Sequence, residues 1–166
     1  REAYKTPEWF NKMIENKWYG DKTKGGFYKK EKTPEGKRKK LVIDPKALDY
    51  KEVDKPEIDI AKEAKKKPTA SEKINTIVWG KGKYAEFAWK LTAIGAIYAA
   101  NRIPEIAENL TEIDNAMTWG YNLELGPFQA WDAIGVEKSV ERMEKEGMDV
   151  PENVKKMLAS GAKTFY

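Results

Sequence analysis

Apolar positions recur at helical spacing through most of this chain, and the one clear change of period falls early. Trp9, Phe10, Met13 and Ile14 follow Thr6-Pro7-Glu8, which predicts a helix capped by Thr6, with Pro7 in its first position and Gly20 as its stop. Residues 29–31 and 37–44 read instead as extended runs around the turn Thr33-Pro34-Glu35-Gly36, hence a β-hairpin. A loop-rich connector over 44–56 leads to a helix opened by Pro56-Glu57 and closed by Lys65, Lys66 and Lys67. A second short helix follows, with Thr69 or Ser71 as cap and Ile74, Ile77, Val78 and Trp79 on its apolar side, broken at Gly80 and Gly82.

Residues 83–99 predict a long helix with apolar residues nearly all round, continuing to about Asn109 with a kink or restart at Pro104. Gly95, between Ala93 and Ala96, would let another helix come close. Thr111 to Asp114 fits a capping box with Asp in place of Glu. Residues 113–135 are densely punctuated. Gly120 should close one helical run, Gly126-Pro127 open another and Gly135 end it, with Trp119, Phe128 and Trp131 filling the corner. Asp114 and Asp132 are expected to cap or anchor helix ends. An amphipathic helix over 136–146 stops at Gly147, and Pro151-Glu152 opens a last one bearing Val154, Met157 and Leu158. The expected fold is mainly α with a small β-hairpin near the N-terminal side.

Composition narrows the chemistry. With 166 residues, 40% hydrophobic and 35% charged, the chain can bury a real core. It has no cysteine and no histidine, so disulfides, thiolate nucleophiles and the usual neutral-pH base are absent from it. A hydrolase built on Glu124 and Asp132 would need a partner that raises one pKa, and none is evident. The net charge of +4 is mild. Seven basic and two acidic residues lie between Lys29 and Lys40 without an interleaved aromatic. That favours a solvated strand edge over nucleic-acid binding. No signal peptide is visible in the opening residues, and the longest apolar run, residues 84–100, carries Glu86 and Lys90, so neither secretion nor a membrane span is expected. A cytoplasmic location follows as the expectation. The absence of an initial Met suggests a piece of a longer chain.

The chain repeats itself. Pro7-Glu8 with Asn11-Lys12-Met13-Ile14 parallels Pro151-Glu152 with Lys155-Lys156-Met157-Leu158, and Lys22-Thr23 leading to Phe27-Tyr28 parallels Lys163-Thr164-Phe165-Tyr166. Duplication makes residues 1–28 the end of a first helical copy, 29–56 a hairpin and linker, and 57–166 a second copy.

Asn101-Arg102, Ile113-Asp114 with Ala116-Met117, Gly126-Pro127-Phe128, Asp132 and Gly135 occur in one order. That order resembles the C-terminal helical domain of the 3-hydroxyacyl-CoA dehydrogenases. The stretch 20–28 resembles the tail that closes the same domain: Gly26-Phe27-Tyr28 is intact, while a middle glycine is replaced by Lys24 or shifted to Gly25. The resemblance implies a 6-phosphogluconate-dehydrogenase C-terminal-like helical bundle. Because Gly26-Phe27-Tyr28 precedes Gly126-Pro127-Phe128, it implies a long member with tandem helical domains, some of which are fused to an enoyl-CoA hydratase.

By the same resemblance the whole protein would oxidise a 3-hydroxyacyl-CoA in fatty-acid β-oxidation with NAD, held by a Rossmann domain absent from these residues. Its partners would be the acyl-CoA substrate, its own Rossmann and first helical domains, and a second copy in a homo-oligomer, with no nucleic acid or membrane. No catalytic, cofactor-binding or metal-binding residue is expected here. Asn101 matches the family's active-site asparagine, but its place in the second copy makes it a packing residue beside Pro104. The expected role is substrate-cleft wall and pairing scaffold, with residues 84–100 as the pairing surface. The alternative is a stand-alone helical interaction module with the same fold and no dehydrogenase activity.

Overall fold

In the computed structural model, residues 5–23, 25–53 and 56–166 are described; residues 1–4, Lys24, Asp54 and Lys55 lie outside them. The chain divides into two compact units, Arg1–Glu57 and Ile58–Tyr166.

The first unit joins helix α1 (Glu8–Glu15) through a short 3₁₀ turn, Asp21–Thr23, to three strands: β1 (Tyr28–Lys32), β2 (Arg38–Asp44) and β3 (Asp49–Glu52). The strands form an antiparallel meander in the order β1-β2-β3, with Tyr28 opposite Val42 and Ile43 opposite Tyr50. The hairpin read from sequence is therefore two-thirds of a sheet. The third strand was hidden in the connector, because its turn is local side-chain chemistry. Asp44 Oδ1 accepts from the backbone N–H of Lys46 (2.9 Å) and Ala47 (3.3 Å), and Leu48 turns the chain at φ 53°.

Helix α1 also starts and stops differently from expectation. Pro7 itself occupies the cap position, while Thr6 Oγ1 donates to Asn11 Oδ1. The helix is over by Asn16, and Lys17 takes the left-handed turn at φ 58°, well before Gly20. Gly20 and Gly25 instead pair backbone to backbone, and a Cβ on Gly26 would fall 2.8 Å from Gly20 Cα. The glycines serve this close loop, not the helix end.

The second unit is all helical among its described residues: α2 (Asp59–Lys65), α3 (Ala70–Val78), α4 (Lys83–Ala100), α5 (Leu110–Tyr121), α6 (Pro127–Ile134), α7 (Val136–Lys145) and α8 (Glu152–Ala159). Thr69 caps α3 in a full capping box with Glu72. Gly80 lets α2 meet the end of α3, since a Cβ there would lie 1.7 Å from Ile60 Cδ1. The core gathers Val78, Trp89, Ala93, Phe128, Trp131, Ile134, Met143 and Val154. Its two large indoles keep their N–H groups satisfied. Trp131 Nε1 donates to Ser139 Oγ at 2.6 Å, and Ser139 Oγ donates on to Val136 O; Trp89 Nε1 donates to Glu146 Oε2 at 2.8 Å. Arg142 lies over Trp89, 4.4 Å from the ring centre, and pairs with both Glu86 and Glu146.

Four boundaries in this unit depart from the sequence reading. Helix α2 opens at Asp59, with Ile58 in the cap position, and not at Pro56-Glu57. Helix α4 stops at Ala100; residues beyond it form turns around a cis Ile103–Pro104 bond, so the helix does not continue toward Asn109. Asn109, not Thr111, caps α5, with its side chain accepting from Glu112 N at 3.1 Å. Gly120 lies inside α5, and Asn122 supplies the left-handed stop at φ 56°. Helix α4 is also one-sided rather than surrounded. Ala85, Trp89, Ala93 and Ala96 are buried, whereas Phe87, Leu91, Ile94 and Tyr98 are 61–68% exposed. Gly95 faces open space.

Candidate functional site

Two features of the second unit bring the singled-out residues together: a polar lock at the α5–α6 corner, and an apolar groove beside it.

The lock is built on Asp114. A carboxylate inside α5 has no partner along its own helix for both oxygens, and this one is only 1% exposed. It points at the start of α6, where the first N–H groups are unsatisfied and the helix dipole is positive. Oδ1 accepts from Phe128 N at 2.9 Å and Oδ2 from Gln129 N at 3.0 Å. Asp114 thus caps α6 from a distant position in sequence, rather than closing a box at the start of α5. Gly126 makes room for it: a Cβ there would sit 2.4 Å from Asp114 Cγ. Pro127 occupies the first turn of α6, where its missing N–H costs nothing, and Gln129 returns a side-chain oxygen to Gly126 N at 2.9 Å.

Asp132, one turn further along α6, holds the C-terminal tail. Its oxygens accept from Phe165 N at 2.8 Å and Tyr166 N at 3.1 Å, and the Tyr166 hydroxyl donates to Asp114 Oδ2 at 3.0 Å. The Phe165 ring seats against Phe128 and Trp131, with centroids 4.9 and 5.3 Å away. Burial raises the Asp132 pKa above its ordinary value, against the two backbone donors; burial also raises the Tyr166 phenol, helped by its bond to Asp114. Gly135 closes α6 at φ 85°, and α3 reaches over to its carbonyls through Asn75 to Ala133 O and Trp79 Nε1 to Ile134 O, both 2.9 Å. Trp119 does not fill this corner; it is 80% exposed, because α5 turns that face outward.

The sequence marked Asp114 and Asp132 but not the tail they hold. The repeated Phe-Tyr pair was the available signal, and the socket that receives it is assembled from residues far away in the chain.

The groove, about 1020 Å³, runs between α3, α4 and α5 and is lined by Ile74, Ile77, Leu91, Tyr98, Ile113, Met117 and Leu125, with Gly95 in its wall. Arg102 borders it, paired with Glu105 at 2.6 Å and lying 4.9 Å from the centre of the Tyr98 ring. Asn101 is exposed just past the end of α4, and its side chain makes none of the described hydrogen bonds, so it does not hold carbonyls near Pro104. Glu124 lines the groove and is exposed. The lock and Asn101 are separate features.

The strands form an antiparallel meander, not the parallel sheet of a dinucleotide-binding fold. No group of acidic side chains among the described residues could hold a metal ion. No helix of the described residues is long and apolar enough to cross a membrane.

No family model matches the chain, and no solved structure matches it. Among proteins with curated descriptions, its whole length is related to part of a dehydrogenase. It is 38% identical over 169 residues to a Bacillus subtilis protein described as "Probable 3-hydroxyacyl-CoA dehydrogenase", spanning 20% of that protein. It is 29% identical over 126 residues, 76% of this chain, to a Rickettsia prowazekii protein described as "Putative fatty acid oxidation complex trifunctional enzyme", of which it spans 16%. The likeness read from the motifs is therefore a relationship to 3-hydroxyacyl-CoA dehydrogenases that runs along the entire chain, which spans about one-fifth or less of these relatives' length.

Proposed function

We propose that this chain is the C-terminal helical part of an NAD-dependent 3-hydroxyacyl-CoA dehydrogenase of fatty-acid β-oxidation in the cytoplasm. In this reading the Rossmann domain of the longer protein binds NAD and supplies the catalytic base. Residues 57–166 contribute a wall of the acyl-CoA cleft and a pairing surface. Residues 1–28 are the end of a first helical copy, and 29–56 join the two.

The groove is the observation that carries the proposal. It is apolar along α3, α4 and α5, as an acyl chain requires, and Arg102 stands at its border beside Asn101. The exposed stripe of Phe87, Leu91, Ile94 and Tyr98 on α4 supports the pairing role. A chain without histidine does not itself hold the catalytic His–Glu pair that the resemblance assigns to the Rossmann domain.

The test is reduction of acetoacetyl-CoA by NADH. The 166-residue chain should give no turnover, and mixing it with the unmatched remainder of the Bacillus subtilis relative should give turnover above that of the remainder alone. Turnover by the chain alone would overturn the proposal. No gain from mixing would favour a stand-alone interaction module.

A further inference from the structure

Helices α1 and α8 are the same structural sentence written twice. Each has eight residues, follows a proline in extended conformation and lacks a side-chain cap. Pro7 O accepts from Phe10 N and Asn11 N as Pro151 O accepts from Val154 N and Lys155 N. Asn16 and Ser160 close the two helices at the same φ of −76°, and Lys17 and Gly161 then turn left-handed. A Phe-Tyr pair follows in both cases, after a longer loop in the first unit.

What surrounds the two copies differs. Val154 of α8 is in the core and the Phe165-Tyr166 pair is docked, its backbone N–H groups on Asp132 and its hydroxyl on Asp114. In the first unit Phe27 is 51% exposed where Phe165 is part-buried; the two tyrosines are alike in exposure, Tyr28 at 48% with Lys40 Nζ 3.9 Å over its ring and Tyr166 at 57%, and differ in their hydrogen bonds. The Phe27 ring lies 6.2 Å from those of Trp9 and Phe10 at the start of α1. A cavity of about 390 Å³ opens between Phe10, Ile14, Tyr19, Phe27 and Tyr28. Ile43 N donates to Phe27 O at 3.1 Å, which makes Tyr28 and Val42 a non-hydrogen-bonded pair and turns the Tyr28 N–H off the sheet edge. None of the described hydrogen bonds uses the Phe27 N–H or the Tyr28 hydroxyl.

The geometry points to a docking surface formed by α1, Phe27 and Tyr28 that receives a second helical corner of the α5–α6 kind. The partner would bring an aspartate that accepts the Phe27 and Tyr28 N–H groups and apolar residues that cover the Phe27 ring. A second copy of this chain is a poor source, because its own corner is already filled by its own tail. The remaining four-fifths of the longer relatives is the source we commit to. This rests on the tandem-copy part of the proposed function and adds to it the contacts that join the copies.

The test is amide hydrogen exchange on the intact 166-residue chain, alone and mixed with the unmatched remainder of the Bacillus subtilis relative. Exchange at Phe27 and Tyr28 should be fast in the chain alone and slow by about tenfold or more in the mixture. Phe27→Ala should leave the chain folded by circular dichroism while weakening the complex by about tenfold. Absence of a complex, or a complex with both amides still fast, overturns the inference. So does protection that appears in the chain alone as its concentration rises, which would assign the surface to a second copy. Recovered turnover with unprotected amides would leave the proposed function standing and remove this inference alone.

Discussion

Asp114 and Gly126 are packed so closely that the backbone of one exists where the side chain of the other would be: a Cβ added to Gly126 would lie 2.4 Å from the Asp114 carboxyl carbon and 2.5 Å from its Cα. Neither obstacle is the end of a flexible chain, so relief requires α5 and α6 to move apart. Gly126→Ala should destabilise the second unit by about 3 kcal/mol, at the upper end of overpacking costs. Chemical denaturation followed by Trp fluorescence would measure it, and a loss under about 1 kcal/mol would mean the corner is looser than this.

Asp114→Asn keeps the shape and removes the charge. One carboxylate oxygen becomes an NH₂ facing N–H donors at the start of α6 or the Tyr166 hydroxyl. We expect a loss of about 2–3 kcal/mol, the scale of hydrogen bonds to buried charge. Tyr166→Phe should cost only about 1 kcal/mol, one hydroxyl bond at a part-buried site. In the double variant the two losses should fall short of their sum, measured by a double-mutant cycle.

The tail carries stability despite its terminal place. Phe165→Ala removes a ring lying against Phe128 and Trp131. Because Phe165 is only partly buried, the cost should be below the full aromatic truncation, about 2 kcal/mol. Hydrogen exchange at the Tyr166 amide should rise in this variant, since its bond to Asp132 depends on the same docking.

Two carboxylates should respond to pH with opposite signs. The Glu146 pKa is lowered from 4.5, first by the Trp89 indole N–H and then by Arg142. Its stabilisation is fully present above 4.5 and is lost as pH falls through the lowered folded value. Asp132 is raised from 3.8 by burial, so its contribution is present below 3.8 and is lost as pH rises through the raised value. Melting temperatures from pH 3 to 6 should show Glu146→Gln less sensitive to acid than the parent, with the Trp89 bond retained by the amide oxygen. A parallel profile for Glu146→Gln would show that this site does not couple to folding.

The stripe on α4 is expected to drive self-association of the isolated chain. Leu91→Glu with Ile94→Glu places two charges on exposed apolar positions without touching the buried face of Ala93 and Ala96. Sedimentation should then show a monomer where the parent associates, with the melting temperature little changed.

Local signals in the sequence were sufficient for much of the second unit. A cap at Thr69 or Ser71, of which the structure uses Thr69, Pro127 in the first turn of α6, the stops at Gly135 and Gly147, and the helix opened by Pro151 each depend on residues within a few positions. The whole-length relationship to 3-hydroxyacyl-CoA dehydrogenases was likewise carried by short motifs kept in order. Tertiary structure decided what those positions serve. Asp114 could not be told from a cap of its own helix until α6 was folded against it, and Trp119 looked like core until α5 turned it outward. The extent of α4 and the third strand depended on turns whose partners are set by packing and side-chain bonds, not by periodicity. Hydrophobic period states which residues must be covered; only three-dimensional packing states what covers them, and in the first unit it leaves Phe27 and Tyr28 about half exposed.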